Sequence, residues 1–295
     1  MTWNFERVAG PFKGRTGGMA WDGTGMLFSA VGEERVMRFD PKTGTAEEFR
    51  RYTGRVNGLA VAADGTVYGA QEGGRRIIRF LKDGSTVSAP DLLDGQHHNQ
   101  PTDVVIDGKG RVWFADPYNG QPPYGPPVYP MLDHASILRM DPAGGSGGKL
   151  TRVTHDTCGP RALRLSADEK TLFVADGDME RGDMCQLFAY PVKGDGSVGT
   201  GKSLLAFAPM ERGIEGMCLD SEGNIIACAG WKRAGLGPHL HVISPAGTIL
   251  ESHAAPADMP MRCAFGDSGL DSLYLTAGDG CLYRARGVGH RGLKH

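Results

Sequence analysis

Short apolar runs broken by polar turns recur along the whole chain, and six of them share one grammar. A small apolar run meets an Asp/Gly-type turn and is followed by a second β-rich run. The copies are "GGMAWDGTGMLFSA" from Gly17, "NGLAVAADGTVYGA" from Asn57, "TDVVIDGKGRVWFAD" from Thr102, "RALRLSADEKTLFVAD" from Arg161, "EGMCLDSEGNIIACAG" from Glu215 and "RCAFGDSGLDSLYLTAG" from Arg262. A third strand follows each copy, as in "RVMRFDPKTG" and "SILRMDPAGG", and most copies add a short fourth, as in "TAEEFRR" or "TILESHA". Four strands per copy at a spacing of roughly 40 to 60 residues predict an all-β, six-bladed propeller around a central channel.

The sixth copy stops after its third strand, and "GVGHRGLKH" reads as a polar tail. The leading run "TWNFERVAG" has no partner of its own, so it is expected to close the last blade as its outer strand. The alternative of two stacked β domains leaves the unbroken repeat unexplained, and no linker divides the chain. The expectation is one domain over 1–295.

Composition narrows the function classes. A net charge of −2, without basic runs interleaved with aromatics, gives no reason to expect nucleic acid or a membrane surface as partner. No apolar run approaches the ~18 residues of a membrane span, and the N-terminus shows no signal peptide. The six cysteines form no C-x-x-C pair and several sit in strand-like runs, which fits thiols in a reducing cytoplasm. One motif suggests a nucleotide: "GSVGTGKS", Gly196 to Ser203, spells a phosphate loop. A true one follows a buried strand and opens a helix. Here the repeat places it in a hairpin at a blade rim, so no nucleotide is expected there.

The inner strand of each blade starts at one mouth of the channel. Aligning the copies puts Gly17, Asn57, Thr102, Arg161, Glu215 and Arg262 in one ring. Charged groups at converging strand ends need pairing or function. Arg161 and Arg262 lie on the blades flanking Glu215. The trio reads either as a catalytic set, with Glu215 a moderate general base and the guanidiniums holding an oxyanion or a substrate carboxylate, or as a salt-bridge plug. A Pro/Tyr-rich insertion at about 117–134, carrying Tyr118 and ending at His134, reads as a lid. His98, Gln100 and Asp103 flank the third inner strand; with Asn57, Thr102, Tyr118 and His134 they are the candidate substrate contacts. Asp103 also reads as a brace for the strand start. No Gly-x-Ser-x-Gly elbow is present, so no covalent nucleophile is expected.

The motifs "QPTDVVIDGKGRVWFADP", "SADEKTLFVAD", "EGMCLDSEGNIIACAGW" and "MRCAFGDSGLDSLYLTAGDGCLYR" resemble the gluconolactonase, senescence-marker-protein and luciferin-regenerating-enzyme group over nearly the whole chain. The resemblance implies six-bladed propellers, mostly lactone hydrolases, with one divalent cation (Ca, Zn or Mg) in the channel mouth. Two of the three implied ligand positions are lost: the first-repeat Glu falls on Gly17 and the fourth-repeat Asn on Arg161. The third, an Asp, falls on Glu215, which would be the metal ligand if a cation is bound. The family's substrate-contacting Arg-Pro-Asn falls on Gln100, Pro101 and Thr102. The leading expectation is a hydrolase of a lactone or similar cyclic ester with a metal-poor site. The alternatives are a metal-independent isomerase or lyase acting on an anionic small molecule, and a non-catalytic binding propeller.

Overall fold

The computed structural model describes residues 2–118, 124, 128–142, 148–178 and 181–293. Six four-stranded antiparallel sheets are arranged as blades; five run in chain order from the axis outward, and the sixth takes its outer strand from the N-terminus. The inner strands are Thr16–Trp21, Val56–Val61, Asp103–Ile106, Ala162–Leu165, Ile214–Leu219 and Pro260–Gly266. Each packs on the next, and the last returns to the first, closing the ring.

The apolar grammar explains this arrangement. Six buried clusters fill the six gaps between neighbouring blades. One joins Phe28 and Phe39 of blade 1 to Tyr274 of blade 6, and another joins Trp113 of blade 3 to Leu163 and Val174 of blade 4. The middle strands, such as Val112–Asp116 and Thr171–Asp176, are buried on both faces because a blade lies on each side.

As expected, the N-terminal strand Phe5–Ala9 pairs antiparallel with Leu282–Arg286 and completes blade 6. The tail departs from expectation. It is docked rather than free: Val288 is buried, its carbonyl accepts the Trp3 indole N–H at 3.0 Å, and Gly292 forms a β-bridge with Asp220. Its side chains are not uniformly polar, and Leu293 packs into the cluster between blades 4 and 5. The phosphate-loop lookalike lies in the connection between Gln186–Pro191 and Lys202–Ala206, with strand and not helix after it. Among the described residues, no helix is long and apolar enough to cross a membrane.

Candidate functional site in the channel mouth

The inner strands enter the mouth through β-bulges. The ladder between first and second strands skips one residue in four blades: Gly18, Asn57, Glu215 and Met261. A bulge leaves its extra residue out of the ladder and re-aims it, so Asn57 and Glu215 are freed from sheet pairing. Glycine at or beside the bulge lets the strands converge. A Cβ on Gly58 would lie 2.7 Å from the Asp103 Cα, and one on Gly18 would lie 2.8 Å from the Asn57 carbonyl oxygen. In blade 6 the bulge falls on Met261, one residue before Arg262, so the ring read by alignment is offset there.

Glu215 is buried, and its Oε1 accepts from Arg212 Nη2 at 2.8 Å, with Arg161 Nη1 at 3.9 Å. Burial alone would push its carboxyl upward. The Arg212, Arg161, Arg262 and Arg15 guanidiniums outweigh burial and hold the pKa at about 2. The direction agrees with the expected trio, but so low a value corrects the reading of a moderate base: at rest Glu215 is a weak one. Arg212 lies over the Trp231 ring, 5.8 Å from its centroid. Arg161 also reaches Asp178, at 3.1 Å, and is about one-third exposed, as is Arg15, while Arg212 and Arg262 are more deeply set.

Arg262 is brought beside Glu215 as expected, but the free clamp assigned to it is corrected. It is 3% exposed, and its Nη atoms donate to the carbonyls of Met261 (3.1 Å), Thr102 (3.0 Å) and Arg161 (3.3 Å). It crosses the axis and ties blades 3, 4 and 6 together.

Four residues at the mouth escaped the sequence reading: Arg212, Arg15, Arg55 and Glu72. Glu72 Oε2 lies 3.0 Å from Arg15 and 3.9 Å from Arg55. Burial lowers the pKa of Arg15, and the neighbouring Arg55 and Arg262 lower it further, against the pull of Glu72 and Glu215. These residues sit on the loops feeding the inner strands, two or three residues ahead of the ring, or on the loop between second and third strands. A signal was present: "GRTGG", "GRVNG" and "RGIEG" each place an arginine two or three residues before the bulge.

Other candidates divide. Asn57 and Gln100 are buried, with Asn57 Oδ1 and Gln100 Oε1 lacking a partner among the described residues. Thr102 donates its hydroxyl to the Arg161 carbonyl at 3.2 Å. The expectation that His98 and Asp103 face a substrate is corrected by their burial. His98 has no exposed surface and bonds Asp116 at 3.0 Å. Asp103 binds Arg164 at 2.9 Å and the Leu163 N–H at 3.2 Å, bracing blade 3 against blade 4. Tyr118 is exposed, with Arg181 5.3 Å above its ring. His134 pairs with Ser136 at 2.9 Å, and its carbonyl takes the Asn99 amide at 2.7 Å. Within the insertion, 119–123 and 125–127 lie outside the described residues. Tyr124 reaches across to blades 1 and 2, donating its hydroxyl to Glu34 and packing its ring on Gly73.

Comparison with known proteins agrees with this architecture. The family model described as SMP-30/Gluconolactonase/LRE-like region matches residues 88–279. A gluconolactonase of Zymomonas mobilis is 27% identical over 236 residues, covering 75% of this chain and 60% of the relative, so the match spans less than two thirds of that protein. A 6-deoxy-6-sulfogluconolactonase of Pseudomonas putida is 24% identical over 252 residues, 82% of this chain and 75% of the relative. A gluconolactonase structure from Xanthomonas campestris superposes with a TM-score of 0.81 at 24% identity, covering 96% of this chain and 89% of that one. The chain, a six-bladed propeller matched by that model over most of its length, belongs to the SMP-30/gluconolactonase/LRE-like family.

Proposed function

We propose that this protein is a hydrolase that opens a lactone or similar cyclic ester with water in the channel mouth. The observation that carries the reading is Glu215, ionised although buried, between Arg212 and Arg161 in a chain whose relatives bear lactonase names.

A substrate carbonyl presented to Arg161 and Arg212 would meet N–H donors where negative charge develops, and one such donor contributes about 10²–10³ in rate. The water oxygen bonds to the carbonyl carbon while Glu215 takes the water proton. Collapse breaks the bond from carbonyl carbon to ring oxygen, and the proton passes to that oxygen, leaving a hydroxy acid. As charge grows on the carbonyl oxygen, the guanidiniums divide their field between two anions. Glu215 therefore becomes more basic as it must accept the proton, which offsets its weakness at rest. Proton abstraction from carbon, the isomerase or lyase alternative, makes a harsher demand on a carboxylate near 2.

The divalent cation implied by the resemblance fits these residues poorly. Gly17 offers no side chain, Arg161 places a cation at a ligand position, and Glu215 Oε1 is already taken by Arg212. Among the described residues, no three His, Cys, Asp or Glu side chains converge to hold a metal. Hard divalent cations need several oxygen ligands, so no step is assigned to one. Tyr124, bridging to Glu34, supports the insertion at 117–134 as a cover for the mouth.

A panel of aldonolactones and aromatic lactones, read by acid release, tests the reaction. Acid release is expected from at least one member and is expected to survive chelation. Glu215→Gln, with folding checked by circular dichroism, is expected to lower kcat by about 10²–10⁴. Silence across the panel overturns the hydrolase reading. A stoichiometric cation whose removal abolishes turnover overturns the metal-free site.

A further inference from the structure

Arg15 and Arg55 are delivered to the mouth by matching pentapeptides, "GRTGG" and "GRVNG", at the starts of blades 1 and 2. Arg15 enters the chemistry assigned to Glu215 only as one of the charges that keep it ionised, and Arg55 does not enter it. Both guanidiniums share Glu72, and among the described residues no other carboxylate lies within ion-pair distance of either. Within ion-pair distance two cations therefore share one anion, in a setting where burial already works against the charge of Arg15. The Nε atoms of both are buried without a partner among the described residues, so the donors are incompletely satisfied from within the fold. The side chains nonetheless keep 32% and 26% of their surface open, whereas Glu72 keeps 7%. The buried partner is the anion, and the accessible ones are the cations.

The cluster also faces the right way. Arg15 and Arg55 directly precede the inner strands Thr16–Trp21 and Val56–Val61, which puts both at the axial end of their blades. The ring of Tyr124, reaching over from blade 3, packs on Gly73 next to Glu72, which itself pairs with Arg55. A small molecule whose carbonyl met Arg161 and Arg212 would extend its far end toward blades 1 and 2.

We infer that Arg15 and Arg55 form a subsite for a carboxylate, and that the substrate is a lactone carrying a second carboxylate at the end remote from the ring carbonyl. The planar fork of a guanidinium matches a carboxylate in two-pronged fashion, and two forks in a half-open site fix its position as well as its charge. The inference rests on the hydrolase reading for the word lactone; the anion site does not. Hydrolysis of such a substrate yields a dicarboxylate, and hydrolysis of a neutral lactone a monocarboxylate.

Binding of D-glucarate, a six-carbon dicarboxylate, is therefore compared with D-gluconate, the monocarboxylate of the same length, by titration calorimetry on the full chain. The dicarboxylate is expected to bind about tenfold or more tightly, the equivalent of one well-placed charge pair. Arg55→Gln and Arg15→Gln are each expected to collapse that preference toward unity. Equal affinities in the unaltered protein, or a preference that survives both substitutions, overturn the subsite. The comparison in the unaltered protein stands even where a variant fails to fold. Because binding needs no turnover, a protein that prefers the dicarboxylate yet releases acid from no lactone would refute the hydrolase reading and keep the anion site.

Discussion

At the scale of single residues, the mouth is governed by competition between burial and charge at Glu215. Burial favours the neutral acid; the guanidiniums win and leave a pKa of about 2 against an ordinary 4.5. The sign follows. A folded value below the unfolded one adds stability that is complete above pH 4.5 and is lost as pH falls toward 2. The catalytic form is likewise present throughout that range, so kcat/KM should show no acid limb near pH 4.3, where an ordinary glutamate titrates. Arg212→Gln removes the nearest cation and should raise the Glu215 pKa by about 1–3 units, bringing an acid limb into view. A pH–rate profile checks this, and a limb that stays put would mean that Glu215 is not the titrating group. The sequence showed Glu215 and Arg161 because strand starts can be aligned across the copies. It hid Arg212, Arg15, Arg55 and Glu72 because one position per blade was read, whereas the mouth is also built from the loops. It misassigned Arg262 because a letter does not reveal that its side chain is buried with its Nη atoms bonded to three carbonyls.

At the scale of elements, strand and turn were legible because each copy repeats the same apolar run and Asp/Gly turn. The bulges were not, since a bulge is a shift of ladder register and leaves only a faint trace in composition. That trace is the glycine next to the bulged residue, at Gly58 and Gly216. Gly58 is needed for space: a Cβ there would stand 2.7 Å from Asp103 Cα and 2.9 Å from the Thr102 carbonyl oxygen, both backbone atoms of the next blade. Neither can swing aside. Gly58→Ala should therefore destabilise the protein by roughly 1–3 kcal/mol, the usual cost of overpacking. At this chain length each kcal/mol corresponds to about 2–4 °C in the melting temperature, read by calorimetry. An unchanged melt would show that the inner strands can separate freely, contrary to the convergence on which the site depends. A short ladder between Leu92–Leu93 and Gln96–His97, ahead of the third inner strand, also went unseen. Two paired residues are too few to leave a hydrophobic period.

At the scale of the whole molecule, six blades cohere only because the ring closes, and closure rests on the two chain ends. The strand Phe5–Ala9 covers the open edge of Leu282–Arg286. Trp3, ahead of it, is 5% exposed, stacks on His253 with centroids 3.9 Å apart and bonds the Val288 carbonyl. His290 then holds the tail to Asp220 at 2.8 Å. The first residues, the last residues and blade 5 are thus latched together at one place, while the strand itself supplies backbone pairing. These contributions can be separated. Trp3→Ala removes the latch but leaves the strand, and should cost roughly 3–5 kcal/mol as a large buried aromatic without exposing an edge. Deleting residues 2–9 removes both and leaves the N–H and C=O groups of Leu282–Arg286 unpaired, a template for joining a second chain. Light scattering should then show concentration-dependent association for the deletion and not for Trp3→Ala, although both melt earlier. A monomeric deletion variant would mean that the docked tail alone seals blade 6. Association of Trp3→Ala would mean that the latch, and not strand pairing, keeps the edge covered.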